Sequence, residues 1–204
     1  LRFLAGQSVT LGRAGSALTG GDDIRATHPV ASCPCDDRNL HFFIARDADS
    51  EFARLVFDGA LAVGDPINVW GPVGEFVLAE SHRPLVFAAC DTGFAPIKSL
   101  IEHALSLDAA PSLSLYWLAT RSDGHFQANQ CRAWSAALDA FEYAAFTELD
   151  PAAGAQQVAA AIRADQFDID CDFYLAGPQA FVSALGQALL QAGVPAAQIA
   201  SEVL

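Results

Sequence analysis

The sequence predicts an antiparallel β-barrel or sandwich followed by an α/β domain built on a five-stranded parallel sheet. Three observations predict it. Residues 1–81 carry short β-type runs separated by glycine, proline and aspartate, the pattern of a barrel or sandwich. From residue 84 the period changes, and strand-like runs alternate with helical ones, which implies a parallel sheet covered on both faces. The chain is 52% hydrophobic with a mean hydropathy of +0.27, yet no apolar run reaches the ~20 residues that span a bilayer. That hydrophobicity therefore belongs to a buried sheet.

In the first part, Ser8-Val9-Thr10-Leu11 alternates and ends at Gly12, and a glycine-rich loop with Gly15, Gly20 and Gly21 follows. An extended segment then runs through His28 to Ser32, and 39–46 reads as a strand. A short helix is expected over 50–57, with Ser50 as its N-cap. Residues 66–70 form another strand, and Gly71-Pro72-Val73-Gly74 a turn. A short polar boundary at 79–83 separates residues 1–81 from residues 82–204.

The second part is organised around Arg83 to Ile101. A proline-bounded apolar run, 85–89, reads as a buried strand; Gly93 centres a turn, and Pro96 sits where a helix begins. Further strands are expected over 112–119, 144–149, 173–176 and 198–204. Helices are expected over 96–107, 130–141, 152–164 and 178–192. Ligands of such sheets bind beyond the carboxyl ends of the strands. There the chain places Cys90 to Pro96, Thr120-Arg121-Ser122-Asp123 and Ala176-Gly177-Pro178, a rim with two helix N-termini and an arginine that suits a nucleotide.

A net charge of −13 without a Lys/Arg cluster argues against nucleic acid and against an anionic membrane surface. The five cysteines are odd in number and irregularly spaced, so free thiols in a reducing, cytoplasmic setting are expected, with Cys33-Pro34-Cys35 included. The chain contains no methionine and opens on Leu1-Arg2-Phe3-Leu4 as if mid-strand, which suggests a piece of a longer polypeptide.

Seven short motifs occur in one order: Gly6-Gln7, Arg25-x-Thr27-His28-x-x-x-Ser32, Val63-Gly64-Asp65, Gly71-Pro72-x-Gly74-x-Phe76, Thr92-Gly93-x-Ala95-Pro96, Leu115-Tyr116-Trp117 and Ala176-Gly177-Pro178. In order and spacing the set resembles the ferredoxin–NADP reductase-like superfamily, and within it the reductase components of bacterial oxygenases and flavodoxin/ferredoxin reductases. The resemblance implies an FAD-binding antiparallel β-barrel whose first strand is missing here, then an α/β domain that binds NADH or NADPH. It implies hydride transfer from the nicotinamide to the flavin, then electron transfer to a protein acceptor or to a fused or separate [2Fe-2S] ferredoxin domain.

By the same resemblance, Arg25 clamps the FAD pyrophosphate, and Gly71, Pro72 and Gly74 form a phosphate turn. Thr27, His28, Pro29, Val30 and Ser32 belong to the flavin segment, with His28 at the hydroxyl position beside flavin N5. Thr92, Gly93, Ala95 and Pro96 underlie the pyridine nucleotide, with Arg121 as a reader of an NADPH 2′-phosphate, although NADH-using relatives carry an arginine there too, and Gly177 and Pro178 border the nicotinamide. Glu202 matches an acidic residue after the last strand, and with His28 it completes the catalytic set.

The chain departs from the family pattern at Thr27, usually tyrosine, at Ala53, at Cys90-Asp91, usually glycines, and at Ala176, usually cysteine. These departures keep open a second reading: a member that retains the fold as a binding or regulatory module. Asp91 is read as a structural partner of Lys98 or an arginine, with a ribose hydroxyl as the alternative. Cys90 is read as a buried inert thiol, and Tyr116 and Trp117 as core.

Overall fold

In the computed structural model, residues 1–15, 23–35, 38–165 and 168–204 are described. The expected loop glycines Gly20 and Gly21, with Asp22, lie outside the described residues. The amino-terminal part comprises β1 (Ser8–Arg13), β2 (Ile24–Pro29), α1 (Glu51–Phe57) and β3 (Asn68–Val73). Its strands pair antiparallel in the order β2-β1-β3, with Thr10 facing Thr27 on one side and Trp70 on the other. Among the described residues this ladder does not run round to close a barrel. Helix α1 starts as expected: Ser50 Oγ accepts a hydrogen bond from Ala53 N at 3.2 Å. It buries Phe52 and Leu55 against Val9 and Leu11.

The α/β part follows as β4 (Leu85–Cys90), α2 (Phe94–Leu107), β5 (Leu113–Ala119), α3 (Ala128–Ala137), β6 (Phe141–Thr147), α4 (Pro151–Asp165), β7 (Asp172–Gly177), α5 (Gln179–Gln191) and β8 (Ile199–Val203). The five strands are parallel, in the order β6-β5-β4-β7-β8. Side chains of β4 alternate across the sheet, as strand geometry requires. Val86, Ala88 and Cys90 pack with Ala155, Val158, Leu185 and Leu189 of α4 and α5, whereas Leu85, Phe87 and Ala89 pack with Ile97, Leu100 and Ile101 of α2. The order reverses at β4, which has β5 on one side and β7 on the other. That is the switch point at which sheets of this kind open a crevice.

Several expectations need correction. Segment 39–46 joins no ladder and is held at His41, whose carbonyl accepts from Ala31 N at 2.8 Å. Gly71 and Pro72 lie inside β3, joined by a cis peptide, so they end a strand where a turn was expected. Helix α3 stops at Ala137 because Leu138 turns extended, and β6 begins at Phe141 to pair with Leu113. Helix α2 begins at Phe94, which makes Pro96 its third residue, still among the amides that lack a helical acceptor. Cys33 and Cys35 are joined in a disulfide, correcting the expectation of free thiols. The bend at Pro34 brings their Cα atoms to 5.1 Å, within bridging range. No helix among the described residues is long and apolar enough to cross a membrane.

Candidate functional site

Two glycines shape the carboxyl rim of the parallel sheet. A Cβ on Gly93 would lie 2.1 Å from the carbonyl oxygen of Ala176, and one on Gly177 would lie 2.7 Å from Cys90 Cβ. Gly177 also has φ +152°, a region side chains disfavour. The close approach these glycines allow is therefore first to the protein's own backbone: the turn after β4 nests on the end of β7. Ala95 and Pro96 are buried beneath that turn, and Thr92 is the half-exposed residue at its surface.

Asp91 closes the other side of the turn. It adopts φ +48°, which aspartate tolerates better than most residues. Its carboxylate accepts from Thr120 N at 2.9 Å and from Thr120 Oγ1. Trp117 Nε1 donates to its backbone carbonyl at 3.2 Å. The carboxylate thus ties β4 to β5; the structural reading of Asp91 holds, with Thr120 as partner where Lys98 or an arginine was expected. Asp91→Ala removes an ionic acceptor and strains the backbone, and is expected to cost about 2 kcal/mol in urea unfolding. Asp91→Asn is expected to lose about half as much, and equal losses for the two variants would contradict this role.

Cys90 is fully buried, and its side chain points toward α4 and α5, away from the crevice. Burial first, and the neighbouring Asp91 charge second, push its thiol up to about 12. It is an inert core thiol, as expected. Trp117 and Tyr116 are core residues too, with Trp117 stacked on Phe94 at 4.0 Å.

Between the antiparallel sheet and this rim runs a crevice made of two adjoining clefts, about 270 and 540 Å³. Phe43, Ile44, Ala45 and Thr92 border both. The smaller is walled by Thr27, His28, Pro29, Ser50 and Ala53, and the larger by Arg121, Asp123 and Phe126. Arg121 and Asp123 pair only loosely, at 3.8 Å, so the guanidinium retains capacity for an anion.

His28 has a particular place in the smaller cleft. Its ring lies 5.5 Å from Phe52, and Nε2 is buried with no hydrogen-bond partner among the described residues. Burial lowers its pKa below the ordinary 6.5, so the imidazole is neutral at pH 7. A buried polar atom without a partner, on a residue that lines a cleft, calls for an explanation.

Thr27 lies on the opposite, exposed face of the antiparallel sheet, hydrogen-bonded to Thr10 Oγ1 at 2.8 Å. Arg25 is two residues along the same face. Its guanidinium stacks over Trp70 at 4.4 Å and pairs with Asp23 at 2.9 Å. Gly12 makes room for that stack, since a Cβ there would meet Trp70 at 2.7 Å. Arg25 and Trp70 form a partly aromatic margin on this sheet face, and Gly71 and Pro72 follow Trp70 along β3. Gly74 takes φ +103°, and its carbonyl accepts from Gln7 Nε2 at 3.0 Å.

Val30 and Ser32 are buried and point to the scaffold. Val30 N donates to Gln7 O at 3.0 Å, Ser32 Oγ accepts from His41 N at 3.2 Å, and Ser32 O accepts from Ser99 Oγ at 2.7 Å. Glu202 sits in register with Ala176 at the rim, its carboxyl raised by burial. Pro178 caps α5 beside it, and Leu204, whose amide donates to Gly177 O, reaches the smaller cleft.

Comparison with known structures decides the fold. The chain superposes along its whole length on the Amycolatopsis cytochrome P450 reductase, with a TM-score of 0.79 and 22% identity, covering 61% of that chain. It also matches a ferredoxin NADP+ reductase from Neisseria gonorrhoeae, solved with bound FAD and NADP, with a TM-score of 0.78 and 19% identity over 99% of this chain and 87% of that one. The chain has the ferredoxin–NADP reductase-like fold.

Relatives by sequence agree with it. The chain is 28% identical over 197 residues to the toluate 1,2-dioxygenase electron transfer component of Pseudomonas putida, covering 95% of this chain and 56% of that protein. It is 27% identical over 189 residues to the propane 2-monooxygenase reductase component of Rhodococcus jostii, covering 88% and 51%. It is 27% identical over 117 residues to the CDP-6-deoxy-L-threo-D-glycero-4-hexulose-3-dehydrase reductase of Yersinia pestis, covering 57% and 33%. The chain thus spans between a third and just over half of the curated relatives it matches. No protein-family model matches it.

Within this reductase-like fold, sequence reasoning missed an aromatic group at the crevice. Phe43 packs edge-on to Phe126 at 4.8 Å and stacks on Phe94 at 6.2 Å. The three come from segments more than 30 residues apart, and only the fold brings them together. Trp70 is a second such residue. Its 39% exposure beside Arg25 is the signal, and exposure is a property of the folded chain.

Proposed function

We propose that this chain is the FAD- and NAD(P)H-binding part of an electron-transfer reductase. The observation that carries the reading is the crevice between the two sheets, lined by His28, whose Nε2 has no hydrogen-bond partner among the described residues. On this reading Thr27, His28 and Pro29 line the flavin's cleft, Thr27 from the exposed face of β2 and His28 from the other, while Val30 and Ser32 hold that segment in place from behind. Arg25 exchanges its Asp23 partner for the FAD pyrophosphate, with Gly71, Pro72 and Gly74 at the same margin. Thr92, Arg121, Gly177 and Pro178 meet the nicotinamide nucleotide, and Gly93, Ala95 and Pro96 support that rim from beneath. Glu202 presents a carboxyl group whose raised pKa suits it to hold a proton at the rim.

Bound FAD supplies the chemistry: it couples two-electron uptake from NAD(P)H to one-electron release toward an iron–sulfur or other redox partner. The residues do the placing. His28, neutral at pH 7, either donates or accepts one hydrogen bond in the smaller cleft according to its tautomer. Phe43 and Phe126 exclude water from the larger one. Asp91, turned onto Thr120, does not direct its carboxylate into the crevice, so the departure from glycine there is compatible with an anionic ligand. The names of the relatives point to oxygenase partners.

The test is an absorption spectrum of the purified protein incubated with FAD, washed free of excess, then mixed anaerobically with NADH or NADPH. A flavin band that stays with the protein and bleaches on mixing is expected. A thermal shift with FAD, FMN, NADH and NADPH in parallel reports binding alone. Protein that retains no flavin, with no thermal shift for any of the four, overturns the proposal.

A further inference from the structure

The Cys33–Cys35 bridge lies four residues past β2 and closes a loop of only three residues. Chain-entropy stabilisation is least for loops this short, so the bridge adds little to the fold. Its two sulfurs are unequal. Cys35 is exposed, whereas Cys33 is 4% exposed. Cys35 N donates a hydrogen bond to Cys33 Sγ at 3.2 Å. An attacking thiolate can therefore reach Cys35, and the sulfur that must leave is the one already facing an N–H donor, which stabilises developing negative charge.

We propose that Cys33–Cys35 is a thiol–disulfide exchange site, open to a dithiol reductant at the Cys35 sulfur. The reductant's thiolate attacks Cys35 Sγ, the Cys33–Cys35 bond breaks, and Cys33 leaves as a thiolate that takes up a proton. The reductant's second thiol then attacks its own sulfur in the mixed disulfide, and Cys35 is released and protonated. The protein gains two electrons and two protons, and the dithiol loses the same and becomes a disulfide. The other cysteines do not compete, since Cys90, Cys131 and Cys171 are buried and burial pushes their thiols up to about 12, 12 and 11. The site adjoins Ser32, whose carbonyl is held by Ser99 of α2, so exchange occurs at the junction of the two sheets. It stands independently of whether the crevice binds FAD.

The test begins with folded protein oxidised by oxidised glutathione. It is treated with dithiothreitol, quenched with iodoacetamide and mapped by peptide mass spectrometry. Cys33 and Cys35 are expected to be blocked before reduction and alkylated together after it, while Cys90, Cys131 and Cys171 stay unmodified and report an intact fold. In Cys33→Ser, oxidised glutathione is expected to cap Cys35; in Cys35→Ser it should cap Cys33 roughly 10-fold more slowly, because access limits exchange. Three results would overturn the proposal: no bridge after oxidation, a bridge that opens only when the buried thiols also react, or equal capping rates in the two variants.

Discussion

Gly93→Ala is expected to lower stability by about 3 kcal/mol and to slow reduction of bound flavin by NAD(P)H roughly 100-fold. The new methyl would sit 2.1 Å from the Ala176 carbonyl oxygen and 2.8 Å from Gly177 N, both backbone atoms of a central strand that cannot rotate aside. The conformation itself is no obstacle, since Gly93 has φ −55°. All of the cost is therefore steric, and it is relieved only by lifting the start of α2 off β7. Thr92 rises with it, and the surface proposed for the nicotinamide shifts by the order of an ångström. The antiparallel sheet is untouched, so FAD should still bind. Urea unfolding and anaerobic stopped-flow separate the two effects, and wild-type behaviour in both would show that the rim does not depend on this contact.

Lys98→Met is expected to destabilise the protein by about 3 kcal/mol without altering the crevice residues themselves. Lys98 is 6% exposed and donates to Glu102 at 2.6 Å and to the carbonyl of Ala31 at 3.1 Å. Methionine fills the volume but leaves Ala31 O without this donor, and among the described residues leaves Glu102 the longer bond from Gln130 Nε2 at 3.3 Å. The loss is placed at the low end for a broken buried pair because a quarter of the Glu102 side chain reaches solvent. Lys98→Met combined with Glu102→Leu should recover at least half of it, since removing both charges removes the desolvation penalty. Thermal unfolding of the three proteins measures this. A single variant as stable as the wild type, or a double variant worse than the single, would refute the pair's role.

The parallel sheet was legible because its central strands are apolar on both faces. A run such as Leu85 to Ala89, closed by proline before and glycine after, has few other places to go. The segment 39–46 departs from the expected strand for an instructive reason. Its alternation is real, with Leu40, Phe42 and Ile44 turned to the antiparallel core and Phe43 to the core under α2. Alternation records burial on two sides, and a strand between two layers satisfies it without pairing with anything. The motif positions at the rim and on β2 could be found by resemblance. What each one touches could not. Asp91 finds Thr120 across 29 positions, and Gly93 finds Ala176 across 83, contacts that no local pattern encodes. The odd number of cysteines pointed to free thiols, whereas pairing at Cys33 and Cys35 depends on the bend at Pro34.

Helix α2 begins at the rim, where Gly93 rests on β7, and three consecutive residues further along it reach the segments that follow β2 and precede β1. Lys98 and Ser99 hold the carbonyls of Ala31 and Ser32, and Leu100 packs under Gly6. One rigid rod thus carries both jaws of the crevice, like a caliper cut from a single bar. About five to seven residues of helix, at roughly 1.5 Å each, separate the rim contact from these three. The peptide that joins the two sheets in sequence, through 79–83, need only be long enough to make the crossing. Changes there should leave the spacing of the jaws alone, and a change in the helix would reset it.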